Sequence, residues 1–272
     1  MTDERNRTMP CWIACAGAGL MLVAICAGAQ QYPTKTIRFI VPYTPGGGAD
    51  ILARAVSAKL TEAWGQSVVV ENRPGAGTNL GSEIAARSAP DGYTLFMPTI
   101  ANAINPTLYG KLTYDPVKDF AHITNLAKAP GIVVVHPSVP VKNAKELIAL
   151  AKTHPDQLRH GSTGIGSPHH LAGELFKTMA GVKMIHIPYK GASPALVDVA
   201  AGHIEVYFGA MVSVLPHVKS GRLRPLGVTS LKRAAAVPDL PTLDEQGLKG
   251  FETGSWFGVS APAGTPREII MK

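Results

Sequence analysis

The sequence predicts an α/β fold built on parallel-dominated sheets flanked by helices. Three observations carry the prediction. Strand-like runs alternate with helix-period runs from residue 36 to residue 260. Glycine-rich turns at 46–48, 75–81 and 161–166 each stand between a strand-like run and a helix-like one. Short apolar runs such as Val68-Val69-Val70 are of the buried-strand type.

Residues 36–41 read as the first strand, and the turn 42–50 (PYTPGGGAD) follows. In the next helix Leu52, Val56, Leu60 and Trp64 recur every four residues and share one face. The three glycines allow φ > 0 and a close approach by a ligand. The helix start points free N–H groups into the same space, where they favour an anion. This turn is therefore expected to form one wall of a site for a small carboxylate, with Asp50 as a helix cap. Gly65 is expected to close the helix. Residues 67–71 form a second strand, 72–81 a second glycine turn, 82–87 a helix and 93–97 a third strand. Residues 99–106 (TIANAINP) read as a polar loop, and 114–120 as a loop with its own turn.

Gly131 to Val135 form a strand, and 142–152 a helix with Ala144, Leu147, Ile148 and Ala151 on one side. The third glycine turn leads into Ser167-Pro168, a favoured N-cap and first helical residue. The same pair recurs at Ser193-Pro194 after a strand at 184–187, so Ser193 is also expected to cap a helix. Strands at 204–208 and 223–229 flank a helix near 212–219, and 256–260 returns as a strand. Thr242 with Glu245 has the spacing of a capping box. Thr265-Pro266-Arg267-Glu268 has the form of a helix start, with Thr265 as its cap.

Composition narrows the function. With 17% charged and 46% hydrophobic residues the chain is globular. Only 6% are aromatic and the Lys and Arg residues are scattered, so no nucleic-acid partner is expected. The net charge of +7 suits solubility first and anion capture second. Residues 1–29 read as a cleaved secretory signal peptide, ahead of a transmembrane anchor as the rival. Cys11, Cys15 and Cys26 all lie within that segment, so the mature chain would have no disulfide, thiol nucleophile or zinc thiolate.

The glycine turns do not fit the dinucleotide pattern or a P-loop, so no cofactor is expected. There is no G-x-S-x-G elbow and no H-E-x-x-H. His169 and His170 would point about 100° apart on a helix and would not share a metal. His170 and Glu174 are one turn apart, and a helix-surface pair explains them better than a metal site. An enzymatic alternative uses Ser167 as nucleophile and His170 as base in a hydrolase or small-acid transferase.

PYTPGGGAD, ENRPGAGTNLG, YDPVKDF, HIPYKGASPAL, AGHIEVYF, PDLPTLDEQG and SAPAGTP, in order from about Tyr32 to Lys272, resemble the receptors of tripartite tricarboxylate transporters, the Bug-type periplasmic solute-binding proteins. The resemblance implies a two-lobed periplasmic-binding-protein fold, type II-like, with two interdomain crossovers near 127–133 and 251–256 and a ligand cleft between the lobes. Lobe 1 would hold 32–128 plus 257–272, and lobe 2 would hold 129–256. The helices that complete the first lobe in family members would be missing beyond Lys272, which leaves a non-functional truncated remnant as a further alternative. The partners implied are a small carboxylate (a di- or tricarboxylate, an amino acid or an aromatic acid) and the membrane permease subunits, with the receptor a monomer in the periplasm. The ligand-binding positions implied are Tyr43, Pro45, Gly46, Gly47, Gly77, Thr78, Thr99, Asn102, Ser162, Gly166, Ser167, His170, Tyr189 and Met211.

Overall fold

A computed structural model describes residues 32–272. The expected signal peptide at 1–29 and its three cysteines lie outside the described residues. The elements below all belong to the unit Lys35–Lys272.

Strand β1 (Ile37–Val41) pairs in parallel with β2 (Val68–Asn72) and β3 (Thr94–Phe96). Helix α1 (Gly48–Trp64) links β1 to β2 and ends on Gly65, whose φ of 66° is the left-handed cap expected of a glycine. Helix α2 (Asn79–Ala86) links β2 to β3, and helix α3 (Ile100–Leu108) follows β3. The 16-residue strand β4 (Phe120–Val135) is the spine. Up to Pro130 it runs antiparallel to β9 (Gly254–Pro262). From Gly131 it pairs with β7 (Val206–Ala210) and, from Ile132, with β8 (Arg224–Val228). Strand β5 (Arg159–Ser162) lies parallel to both β6 (Ile185–Pro188) and β7. The order is β2-β1-β3-β9-β4-β7-β5-β6, with β8 on β4. The strand–helix–strand units produce the expected parallel pairs. The two crossover strands β4 and β9 add antiparallel ones, so the sheet is mixed.

Helices α4 (Ala144–Thr153), α5 (Pro168–Ala180), α6 (Ala192–Ala200) and α7 (Met211–Lys219) cover the β5–β8 half. The buried end of β4 shows why that half reads as unbroken apolar sequence. Val133 and Val135 pack into one core with Leu147, Phe176 and Phe208, while Ile132 and Val134 pack into the other with Leu196, Tyr207 and Val214. Alternate side chains point to opposite faces, and both faces are covered. The β1–β3 half has its own cluster of Ile40, Ala85, Phe96, Tyr114 and Phe120, in which the Phe96 and Phe120 rings stack at 5.0 Å.

Three local expectations change. Residues 99–106 are not a loop but the start and body of α3. Thr99 and Asn102 close a capping box, so the polar residues that suggested a loop satisfy the helix start instead. Ser193 does not cap α6: Gly191 holds the N-cap, and Ser193 lies inside the helix with its hydroxyl donated to the Pro45 carbonyl. Thr265 turns its hydroxyl back to the Pro262 carbonyl at 2.7 Å, which leaves Pro266 as N-cap of the four-residue helix α8 (Arg267–Ile270). The Thr242–Glu245 box forms as expected, with reciprocal bonds of 2.9 and 2.8 Å, and Ser167 caps α5.

Where the chain passes between the two halves, Thr229 braces both passages. Its hydroxyl accepts from the Gly131 amide at 2.9 Å and donates to the Thr253 carbonyl at 2.8 Å. It is 1% exposed, so water does not replace these bonds. Thr229→Val keeps the shape and removes both bonds, leaving the Gly131 amide and the Thr253 carbonyl without this hydroxyl. It is expected to destabilise the protein by about 2 kcal/mol, read from chemical denaturation.

Candidate functional site

The first glycine turn is held rigid by Asp50. This residue is 3% exposed and sits in the first turn of α1, behind the N-cap Gly47. Its carboxylate accepts from the Gly46 amide at 2.9 Å, from Asn72 at 2.9 Å and from Arg54 at 3.0 Å. Burial by itself would raise its pKa, but these donors outweigh burial and hold it below the usual aspartate value. Asn72 also donates to the Tyr43 carbonyl at 3.0 Å, which ties the end of β2 to the same turn. Asp50 thus organises the turn from behind. The amides of Gly48 and Ala49 belong to the first turn of α1 and have no intrahelical acceptor.

Those two residues line a small cavity of about 20 Å³. Tyr43, Gly47 and Thr99 border it from the β1–β3 side, and Thr163, His169 and Ser213 from the β5–β8 side. Ser255 and Phe257 of β9 complete the wall. Among the described residues no Lys, Arg, Asp or Glu lines it. The Tyr43 hydroxyl lies 3.3 Å from the Thr99 hydroxyl, and burial pushes its pKa up to about 12. It is therefore a neutral donor at neutral pH. The cavity offers an anion neutral hydrogen-bond donors and the positive end of a helix, with no opposing charge. A wider cleft of about 830 Å³, bordered by Lys128, Met211, Lys232 and Trp256, shares Pro168 and Ser255 with it.

Of the fourteen positions expected from the sequence, Tyr43, Gly47 and Thr99 line the cavity, and Met211 lines the wider cleft. Pro45 and Gly46 meet α6: a side chain at Gly46 would reach Ser193 Oγ at 2.8 Å. At Gly77 the second turn meets the third, and Gly166 of the third turn meets α3. A Cβ on Gly77 would lie 2.9 Å from the Ile165 carbonyl oxygen, and one on Gly166 would overlap Leu108. Both have positive φ, 60° and 76°, so glycine is required twice over.

The remaining positions do not line the cavity. Thr78 Oγ1 accepts from Asn105 at 3.2 Å. The Asn102 amide bonds the Thr99 N–H and Ser82 Oγ. Ser162 Oγ lies 2.7 Å from His186, and the Tyr189 hydroxyl donates to Asp198 at 2.6 Å. Ser167 Oγ accepts from the His170 amide at 3.2 Å. The His170 ring accepts from the Gly166 amide and stacks on His186 at 4.1 Å between centroids. Ser167 is thus held by the His170 backbone and not by its imidazole, which leaves the nucleophile–base pair unformed.

Sequence reasoning missed Thr163, His169, Ser213, Ser255 and Phe257. Thr163 lies within the third turn and His169 in the first turn of the Ser-Pro helix, so local signals existed for both. Ser255 and Phe257 carry no local signal; they arrive through the pairing of β9 with β4.

A family profile described as "Tripartite tricarboxylate transporter family receptor" matches residues 52–272. Protein BugT of Bordetella pertussis is 36% identical over 262 residues, 96% of this chain and 79% of that protein. The structure of R. palustris Rpa4515 with adipate is similar at a TM-score of 0.87, with 40% identity over 88% of this chain and 81% of that one. That of MatC (Rpa3494) from Rhodopseudomonas palustris with bound malate is similar at 0.83, with 31% identity over 88% and 82%. With the profile spanning most of the chain and these relatives at its full fold, the chain belongs to the tripartite tricarboxylate transporter receptor family, the Bug-type periplasmic solute-binding proteins, which are receptors and not enzymes.

Proposed function

We propose that this protein captures a small carboxylate in the cavity between its two lobes and delivers it to the membrane permease of a tripartite tricarboxylate transporter. Lobe 1 comprises 32–128 with 257–272, and lobe 2 comprises 129–256. The chain reaches the periplasm through cleavage of a signal peptide at 1–29 and acts there as a monomer. The observation that carries the reading is the uncharged cavity at the start of α1, where Gly48, Ala49, Tyr43 and Thr99 meet Thr163, His169 and Ser213. Hydrogen bonds to a charged group contribute roughly 1.5–3 kcal/mol each and a helix end about 0.3–1 kcal/mol. A few such contacts, less the cost of association, support micromolar affinity, near −8 kcal/mol. The adipate and malate seen in two relatives support the ligand class.

Titration calorimetry with di- and tricarboxylates, amino acids and aromatic acids tests the reading. Binding of at least one class at micromolar Kd, with a one-to-one ratio, is expected. No heat from any of them would refute it.

A further inference from the structure

The β5–β8 half carries a stack of three imidazoles that do not line the cavity. His160 of β5 lies 5.0 Å from His186 of β6, and His186 lies 4.1 Å from His170 of α5, centroid to centroid. His160 is fully buried beneath α5, where a Cβ on Gly173 would overlap its ring, and neither of its ring nitrogens has a hydrogen-bond partner. The Phe208 ring of β7 meets it edge-on at 6.0 Å. Among the described residues two charges face the stack, both from α5. Glu174 lies 3.5 Å from His160 Nε2 and 3.8 Å from His170 Nε2, and Lys177 neutralises it at 2.8 Å. On β5 the neighbouring Arg159 points to the opposite face and pairs with Glu205. The pocket is therefore balanced while the rings are neutral, and each proton taken up adds a charge with no spare acid to meet it.

Two of these rings hold the third glycine turn. His170 Nδ1 accepts from the Gly166 amide at 3.2 Å, so that nitrogen is unprotonated. His186 Nε2 lies 2.7 Å from the Ser162 hydroxyl, which accepts from the Gly164 amide at 3.1 Å. Thr163, between these anchors, lines the cavity, and the Ile165 carbonyl packs on Gly77 of the second turn. A proton on His170 Nδ1 would set N–H against N–H. A second one on His186, stacked at 4.1 Å, would set like charge against like. We infer that His170 and His186, backed by His160, form a proton-sensitive mount for the third turn. The turn, and with it the carboxylate, is held while the rings are neutral, and both are released as the rings take up protons. This rests on the carboxylate-receptor reading above for the ligand, and on the imidazole stack alone for the mount. Burial holds all three rings below the ordinary histidine value, His160 and His186 at about 4. The held turn is therefore fully favoured above about pH 6.5, the value of an unburied imidazole. It loses that advantage as pH falls through about 4.

The test reads the turn and the ligand separately. Deuterium uptake over residues 161–166 of the ligand-free protein, corrected for the intrinsic pH dependence of exchange, should rise at least about tenfold between pH 7 and pH 4. Uptake over residues 132–135, in the buried end of β4, should not change, which separates release of the turn from unfolding. Calorimetry then follows whichever of succinate, adipate, malate, citrate, glutamate and benzoate binds best at pH 7, and its affinity should fall over the same interval. His170→Asn places a non-titrating acceptor near the Nδ1 position, and His186→Gln places one near Nε2. Each should weaken the acid response, and the two together should remove most of it; the single variants carry the test if the pair does not fold. Comparing proteins at one pH cancels protonation of the acid and of Asp50. Equal uptake over 161–166 at pH 7 and pH 4 in the wild type overturns the proposal. So does a wild-type acid response in the variants, or an equal rise over 132–135. No heat from any of the acids at pH 7 overturns the receptor reading, while the exchange measurement still decides the mount.

Discussion

Gly191→Ala is expected to weaken carboxylate capture at least about tenfold while the protein stays folded. Gly191 packs on the first glycine turn. A Cβ there would overlap Thr44 Oγ1, and would lie 2.9 Å from Thr44 Cβ and 3.0 Å from its backbone nitrogen. Moving the threonine side chain does not relieve contacts to its backbone and Cβ, so the two segments must separate. The Gly191 φ is 163°, extended backbone open to any residue, so the effect is steric and not conformational. Beside it, the Ser193 hydroxyl donates to the Pro45 carbonyl, and Ala192 lies 3.4 Å from a Cβ built at Gly47. These contacts exist only when the α6 start is seated on the turn. A ligand that touches both sides favours this closed arrangement, and affinity falls in proportion to the loss of its population. A tenfold loss corresponds to about 1.4 kcal/mol against closure. Calorimetry reads the affinity. Small-angle scattering at saturation with a carboxylate that calorimetry shows to bind should show the wild type contracting and the variant retaining its ligand-free radius. The melting temperature should change little, since alanine at the N-cap costs about 1 kcal/mol at most positions. Wild-type affinity in Gly191→Ala would show that the cavity forms without this contact.

The second large effect is on stability. Asp50→Ala is expected to cost about 3 kcal/mol and to abolish binding. The substitution leaves the Gly46 amide, the Asn72 amide and the Arg54 guanidinium without their common acceptor. Removing one partner from a buried, hydrogen-bonded charge costs about 3–5 kcal/mol, and the solvent-exposed Arg54 brings the figure to the lower end. The turn that shapes Gly47 and Gly48 loses its anchor at the same time. The pH dependence has a definite sign. The folded pKa of Asp50 is depressed, so its contribution is complete above the unfolded value of about 3.9. It is lost as pH falls through the lower folded value. The wild type should therefore lose stability below about pH 4, and Asp50→Asn, which is not ionisable, should lose less over the same interval. Denaturation midpoints at pH 7 and in the acid range measure both. Equal acid slopes for the two proteins would show that other carboxylates carry the acid response; Glu71 and Glu205, also held below their usual values against burial by Arg38 and Arg159, are the ones to examine next.

Much of this architecture was legible one segment at a time. The helix start at Ser167-Pro168, the stop at Gly65 and the box at Thr242–Glu245 all form as their residues predict. Each rests on bonds between residues a few places apart, so each is encoded where it acts. The same logic was misapplied at Thr99 and Asn102, where two loop-forming residues satisfied each other and started a helix. The family's fold followed from motifs in order along the chain.

The sequence by itself determined the strand–turn–helix units, the glycines that allow close approach, and the helix start that favours an anion. The tertiary structure decided which of those features share a cavity. Gly47 and Thr99 line it, whereas Thr78 and Ser167 are occupied by Asn105 and the His170 amide. It also brought in Ser255, Phe257 and the Gly191 contact, which lie between 147 and 214 residues from Thr44 and Tyr43 along the chain. The physical reason is range. Caps, turns and helical faces come from neighbours along the chain, while the cavity comes from β4 and β9 crossing side by side, and no local pattern records which distant residues that pairing will bring together.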